Sequence, residues 1–289
     1  MNNLNDKQKG IFLAFIGILF ITPDSLSVRL IGIHSWELVF FRGFIPFICL
    51  LVLLLFFYKK DFITKCYAIG YAGILNAILV ALGNITFVTS LENTNVANTL
   101  IMISLGPFMA AILSSLFLKE TPNKRTWIAI ILCFICVIFI FFDSYETNKI
   151  IGDFFGLLTA ILIGGSSVVI RYAKRINFLP SLLLAKFFTM MFVIYFVDSF
   201  ALSDYDLFLI IVMGVFFIFV PLALITLAPR YIPAHEVQLF FVLETALGPI
   251  WVWLFINESP SIKTLFGGIF IISIIFIYTI LELRDKKTA

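Results

Sequence analysis

The stretch LFLKETP at residues 116–122 returns as LFINESP at residues 254–260, 138 positions further along the chain. Each copy closes an apolar run. Upstream residues recur at offsets of 141 to 144, and these pairs are Gly10 with Gly152, Ser25 with Ser167, Arg29 with Arg171, Arg42 with Lys186, Gly73 with Gly214, and Val96 with Val237. So small a drift in offset indicates a duplicated unit, with the first repeat at residues 1–145 and the second at 146–289.

The composition places both repeats in a membrane. Apolar residues make up 62% of the 289, charged residues only 13%, and the mean hydropathy is +1.10, a balance that excludes a soluble globular domain. A helix needs about 20 residues to cross a hydrocarbon core of ~30 Å. We therefore expect an all-α integral membrane protein with ten transmembrane helices, near residues 10–30, 35–58, 66–89, 95–118, 126–142, 152–172, 179–200, 206–228, 234–256 and 262–281.

Five helices per repeat is an odd number, so the second repeat should enter the membrane from the side opposite to the first. Inverted-topology repeats of this kind build the central gated site of many secondary transporters. The duplicated pattern therefore predicts two inverted five-helix repeats and a transport function.

The distribution of lysine and arginine predicts the orientation, because cytoplasmic loops carry the excess of these residues. With the N-terminus inside, three cations fall outside, at Arg29, Lys149 and Lys263, and two lie within spans, at Arg42 and Lys186. The cytoplasmic segments hold the other fifteen, which are Lys7, Lys9, Lys59, Lys60, Lys65, Lys119, Lys124, Arg125, Arg171, Lys174, Arg175, Arg230, Arg284, Lys286 and Lys287. We expect a multi-pass protein of the cell (inner) membrane with both termini cytoplasmic. Topology explains the net charge of +3, so no nucleic-acid partner is expected.

Ionisable residues at depth in a membrane are costly and usually face a cavity or a partner. Asp24 near the end of the first span and Arg42 near the start of the second lie about 9 to 11 Å deep at ~1.5 Å per residue. Their matched depth predicts either an ion pair between them or joint contact with a charged substrate. A purely structural pair that fixes the two helices is the alternative.

Lys186 lies at the corresponding depth in the second repeat, and its nearest acidic candidates by depth are Glu236 and Glu244. Glu244 is closest to the midplane, where a coupled proton or cation could neutralise its carboxylate. A neutral packing acid is the alternative for Glu244. For Glu236, the alternative is an ordinary solvated position at the inner interface.

For other residues, the sequence allows either a role in the transport pathway or a structural role. Asn76 could bind a polar solute or join helices, and Trp251 fits an aromatic belt or a gate. Pro107 and Pro249 should interrupt the fourth and ninth spans.

The glutamates that end those spans, Glu120 and Glu258, should cap the following helices. The two histidines, His34 and His235, lie at span ends, and Cys133 and Cys136 lie within an apolar helix. We therefore expect no metal site, no cofactor and no enzyme.

Arg42 and the span-closing Glu120 and Glu258 resemble the EamA-type members of the drug/metabolite transporter superfamily, over essentially the whole chain. A finer resemblance, to a subset of these transporters, lies in residues 23–26 with Arg29, in residues 233–236 and in residues 243–253. The resemblance implies a central cavity lined by helices 1, 3, 4, 6, 8 and 9 that opens alternately to each side.

Asp24, Arg42, Lys186 and Glu244 could together meet both ends of a zwitterion. We therefore expect a secondary transporter of a small polar or zwitterionic metabolite, an amino acid or derivative, with export as the expected direction and coupling to protons as an option. The protein should be a monomer or weak homodimer. The alternatives are efflux of lipophilic cations, which buried cations argue against, and a facilitative exchanger or uptake carrier.

Overall fold

The computed structural model describes residues 5–120, 122–144, 150–257 and 262–284. Every regular element in these ranges is a helix. The α-helices are α1 (Asp6–Ile21), α2 (Asp24–Leu30), α3 (Ser35–Tyr58), α4 (Phe62–Tyr67), α5 (Gly70–Asn93), α6 (Val96–Ile103), α7 (Gly106–Phe117), α8 (Lys124–Ser144), α9 (Ile150–Tyr172), α10 (Leu179–Val193), α11 (Asp204–Val212), α12 (Val220–Leu227), α13 (Ala234–Ile256) and α14 (Ile262–Arg284). A π-helical segment, Met213–Phe219, joins α11 to α12.

Eight stretches within the described ranges are long and apolar enough to cross a membrane. They are α1 with α2, α3 with α4, α5, α6 with α7, α9, α10 with its 3-10 extension, α11 with α12, and α13. Helices α8 and α14, of 21 and 23 residues, lie outside that set. The chain is therefore an all-helical, multi-pass membrane protein, and the count of ten spans stays a prediction.

Two of the spans are broken in mid-course. The fourth is interrupted at Ser104–Leu105, immediately before Gly106 and Pro107 at the start of α7, as Pro107 predicts. The first is interrupted at Thr22–Pro23, so that Asp24 opens α2. Each break lies next to a proline, which lacks an N–H and cannot continue the ladder of hydrogen bonds.

The ninth span is not interrupted at Pro249, because α13 continues through it from Ala234 to Ile256, and a kink at this proline stays a prediction. Contacts on both sides of the proline hold this helix. The Thr245 hydroxyl donates to the Leu100 carbonyl at 2.9 Å, and the Trp251 indole N–H donates to the Thr22 hydroxyl at 3.1 Å. These two contacts join α13 to α6 and to the break of the first span on either side of Pro249.

The predicted capping role of Glu120 is wrong. Its carboxylate pairs with Arg171 at the end of α9, where Nε lies 3.0 and 3.2 Å from the two carboxylate oxygens. Asn123 caps α8 instead, since its Oδ1 accepts the Thr126 backbone N–H at 2.7 Å. Glu120 lies too far before the helix to reach those N–H groups and is attracted by the arginine. The corresponding Glu258 lies outside the described residues.

The most extensive helix contacts join one repeat to the other. They are α5 with α9 and α10, α3 with α10, α8 with α14, α1 with α12, α13 with α6 and α7, and α9 with α6 and α7. A twofold axis that relates the repeats would exchange α5–α9 with α1–α12 and would map α3–α10, α8–α14 and the contact of α13 with α6 and α7 each onto itself. The opposite membrane orientation of the two repeats stays a prediction.

The repeat-related glycines Gly10 and Gly152 each pack against the turn that precedes a helix of the other repeat. A Cβ on Gly10 would lie 2.8 Å from the Ile232 side chain, in the turn before α13, and a Cβ on Gly152 would lie 2.6 Å from the Asn93 backbone, in the turn before α6. We call the end of the bundle that carries the starts of α1 and α13 the amino-terminal face. Gly152 lies at the opposite face.

Candidate transport site

A cavity lined by both apolar and ionisable side chains lies between the two repeats. Its volume is about 130 Å³, several times the ~10–15 Å³ that one water molecule needs. Helices α1, α2, α5, α6, α9, α12 and α13 and the π-helical segment line it, and α3 and α10 each add a cation. Its polar and charged lining residues are Asp24, Arg42, Asn84, Ser166, Ser167, Lys186, Thr226, Gln238 and Glu244.

One end of the cavity is closed by packing. The largest apolar cluster fills the half of the bundle towards the opposite face, and it includes Leu26, Val28, Leu38, Leu91, Leu100 and Val252. The cavity extends the other way, past Ile170 and Thr226, which lie near the ends of α9 and α12 at the amino-terminal face. The bundle is therefore more tightly closed at the opposite face.

Asp24 and Arg42 form an ion pair within this cavity. Two parallel hydrogen bonds of 2.7 Å join the guanidinium to the carboxylate, and both side chains are buried. The guanidinium also lies over the Phe87 ring, 5.1 Å from its centroid, a favourable position for a cation. The structure therefore contains the direct ion pair between Asp24 and Arg42, one of the alternatives that the sequence allows.

Lys186 and Glu244 lie in the same cavity with no such pairing. They are 1% and 4% exposed, and neither forms a hydrogen bond or ion pair with another described residue. Each lies close enough to the Asp24–Arg42 pair to interact with it electrostatically. Lys186 and Glu244 are therefore the two ionisable side chains of the cavity lining that have no hydrogen-bond partner among the described residues.

Of the two interpretations of Glu236, the structure favours a position at the end of the bundle over a place beside Lys186. Its carboxylate lies at the amino-terminal face, 4.0 Å from Lys7 Nζ, and it does not line the cavity. Glu236 belongs to the first turn of α13, where a carboxylate is favoured by the helix dipole.

Asn76 is also not a lining residue. Its amide donates to Ser181 Oγ at 2.9 Å and accepts from Ser166 Oγ at 2.7 Å, so it joins α5, α9 and α10. With both ends of its amide occupied, Asn76 supports the cavity-lining Ser166 and has the helix-joining role that the sequence offered as its alternative.

Trp251 does not belong to an exposed belt or to the cavity lining. It is half-buried, packs against the large apolar cluster and binds Thr22 at the break between α1 and α2. The neighbouring Trp253 has the exposed position that an interfacial belt requires, at 46% exposure.

Several lining residues were missed from the sequence. Gln238, Ser166 and Thr226 carried no prediction, and Ser167 served only as a marker of the repeat. One signal was present, because Gln238, Phe241 and Glu244 are three residues apart and therefore share a helix face. All three line the cavity.

A helical membrane bundle with a cavity between two repeats is typical of membrane transporters. The chain belongs to the EamA-like transporter family, whose family model matches residues 8–142 and 150–280, one match for each repeat. Members of this family are generally not enzymes.

Two further comparisons agree with this architecture. The chain is 34% identical over 106 residues to the uncharacterized protein MJ1333.1 of Methanocaldococcus jannaschii, and the match covers 37% of this chain and 74% of that protein. That relative is consequently about half as long as this chain. A crystal structure with 12% sequence identity superposes with a TM-score of 0.76 over 94% of this chain and 97% of the other, which shows a shared fold.

Proposed function

We propose that the protein is a secondary transporter that carries a small zwitterionic metabolite, an amino acid or derivative, by alternating access. One observation supports this above all: Lys186 and Glu244 line the same cavity, are almost fully buried and have no partner among the described residues. Isolated charges at depth are expensive. A zwitterion would offset that cost twice, with its carboxylate on Lys186 and its ammonium on Glu244.

The Asp24–Arg42 pair has a different part in this proposal. Its hydrogen bonds are short and bidentate, the strong geometry for such a pair. Two guanidinium nitrogens and both carboxylate oxygens are engaged with each other, and Arg42 Nε has no hydrogen-bond partner among the described residues. We therefore propose that it forms a fixed, neutral wall of the site, while Lys186 and Glu244 contact the substrate.

Alternating access would follow from the asymmetric closure of the cavity. The apolar cluster around Leu26, Leu38 and Leu100 closes the route to the opposite face, and the cavity extends towards the amino-terminal face. If that face is cytoplasmic, as the lysine and arginine counts predict, this conformation favours loading from inside the cell. Export is therefore the proposed direction, and a proton that neutralises Glu244 in the empty carrier is the proposed coupling ion.

Counterflow in proteoliposomes tests this proposal. Vesicles loaded with an unlabelled amino-acid mixture should accumulate a labelled amino acid transiently, and control vesicles without protein should not. Lys186→Met should abolish the signal, because the substrate carboxylate would lose its counter-charge. Lys9→Gln, at a partly exposed position, is the matched control and should retain it. Absence of counterflow for every zwitterion tested would overturn the proposal.

A further inference from the structure

We infer that a groove between α3, α4 and α10 binds one anionic phospholipid from the leaflet at the amino-terminal face. An acyl chain would lie in the groove, and the phosphate of the headgroup would meet the lysines of the segment that follows α3. This lipid site is separate from the central cavity, and the inference does not rest on the proposed function.

The groove is apolar and opens to the surface of the bundle. Its volume is about 410 Å³, and no charged side chain is among the described residues that line it. Its walls include Phe47 of α3, Cys66 of α4 and Leu183 of α10. Ile63 and Phe187 also line it and remain 66% and 40% exposed, so the groove is accessible from outside. Apolar recesses do not retain water, and a hydrocarbon chain is the occupant that fits.

The groove extends through about one leaflet of a membrane. The end of α3 and the start of α10 lie at the same face, because the Asn177 amide donates to the Tyr58 hydroxyl. From Tyr58, Phe47 lies about 16 Å along α3 at ~1.5 Å per residue, and Phe187 lies about 12 Å along α10 from Leu179. One leaflet provides about half of a hydrocarbon core of ~30 Å. An acyl chain could therefore follow the groove from the interface to its inner end.

The segment at the outer end of the groove carries a net positive charge. It comprises the 3-10 turn Lys59–Asp61 and α4, and it holds Lys59, Lys60 and Lys65 against a single acid, Asp61. All three lysines are exposed, and none forms an ion pair with another described residue. Lys60 and Lys65 are within two residues of lining residues of α4. Because lysines at a membrane surface attract anionic headgroups, the groove should prefer an anionic lipid over a zwitterionic one.

The same charge disfavours a second copy of the chain as the occupant. Dimers are most often built on a twofold axis, and an axis through this groove would bring the lysines of the two copies towards each other. Like charges in close approach repel. A lipid phosphate would instead offset the charge of the lysines.

Native mass spectrometry of the full chain in detergent tests the inference. The protein is titrated with phosphatidylglycerol or with phosphatidylcholine of the same acyl chains. The first phosphatidylglycerol molecule should bind about tenfold more tightly than phosphatidylcholine, because the surface lysines add to the attraction. The triple variant Lys59→Gln, Lys60→Gln, Lys65→Gln should lose this preference. Its three positions are exposed, so the helix packing should persist.

Two further variants separate a built site from a charged surface. The matched control Lys124→Gln, Lys174→Gln, Arg175→Gln removes the same charge from exposed positions and should keep the preference. Cys66→Trp keeps every charge but places a large ring in the groove, and it should weaken the binding of both lipids about tenfold.

Four results would overturn the inference. The first is equal binding of the two lipids by the natural protein. The second is a loss of the preference in the matched control as large as that in the lysine variant. The third is unchanged phosphatidylglycerol binding by Cys66→Trp. The fourth is a dimer that forms without lipid and from which phosphatidylglycerol is excluded.

Discussion

Asp24 and Arg42 are joined by two parallel 2.7 Å hydrogen bonds although both side chains are buried between helices. The pair connects the break of the first span to α3, the second span. Both side chains line the cavity, and their bidentate contact leaves Arg42 Nε without a hydrogen-bond partner among the described residues. The pair can therefore be tested separately from the residues that face the cavity without partners.

Removal of one member of this pair should be far more damaging than removal of both. Arg42→Met leaves a buried carboxylate without its partner and should destabilise the protein by about 3–5 kcal/mol, whereas Asp24→Leu with Arg42→Met should be close to neutral. Thermal unfolding of the purified protein in detergent measures both.

The double variant also decides between a structural wall and a substrate contact. We expect it to keep counterflow, since the proposed substrate contacts are Lys186 and Glu244. A stable double variant without counterflow would contradict that division of roles.

Glu244→Gln should separate coupled from uncoupled transport. The amide cannot take up and release a proton, so gradient-driven accumulation should be lost, while it can still accept a hydrogen bond from a substrate ammonium group and exchange should persist. Uptake with and without an imposed proton gradient measures the difference, and counterflow serves as the control. An equal loss of both activities would contradict a coupling role for Glu244.

Gly152→Ala should destabilise the contact between α9 and the turn after α5. The added Cβ would lie 2.6 Å from the Asn93 backbone and 2.7 Å from Thr94 Cβ, and overpacking of this kind costs about 1–3 kcal/mol. Gly165→Ala is the matched control on the same helix, because its nearest neighbours would be 3.7 Å away. Equal melting temperatures for the two variants would contradict this prediction and would show that the turn shifts to accommodate the added methyl group.

Trp251→Phe should lower stability by about 0.5–1.5 kcal/mol, because it removes the indole donor to Thr22 and keeps most of the apolar ring. Trp253→Phe, two residues further along α13 at an exposed position, should have little effect. Thermal unfolding of both variants checks the difference. A larger loss of stability for Trp253→Phe than for Trp251→Phe would contradict the structural role of Trp251. It would favour the interpretation of this part of α13 as an interfacial belt.

Much of the architecture could be predicted from the sequence because hydrophobicity and chain length determine which segments can cross a bilayer. The repeat, the all-helical fold and the break at Pro107 follow from residue types and their spacing. Depth along a helix also follows from counting residues, which is why Asp24 and Arg42 could be paired in advance.

Partners that depend on rotation about a helix axis could not be predicted in the same way. Glu236 and Glu244 are both plausible partners for Lys186 by depth, but only Glu244 points into the cavity, and Glu236 lies beside Lys7. By sequence Asn76 could bind a solute, but in the structure Ser166 and Ser181 occupy the two ends of its amide.

The sequence by itself therefore determined that this chain is a duplicated helical membrane protein with charges of both signs at depth. The tertiary structure alone decided which of those charges satisfy each other and which face the cavity unpaired, and it formed the apolar groove between α3, α4 and α10. The physical reason is that hydropathy is a property of each segment, whereas the pairing of polar groups depends on the distance and rotation between packed helices.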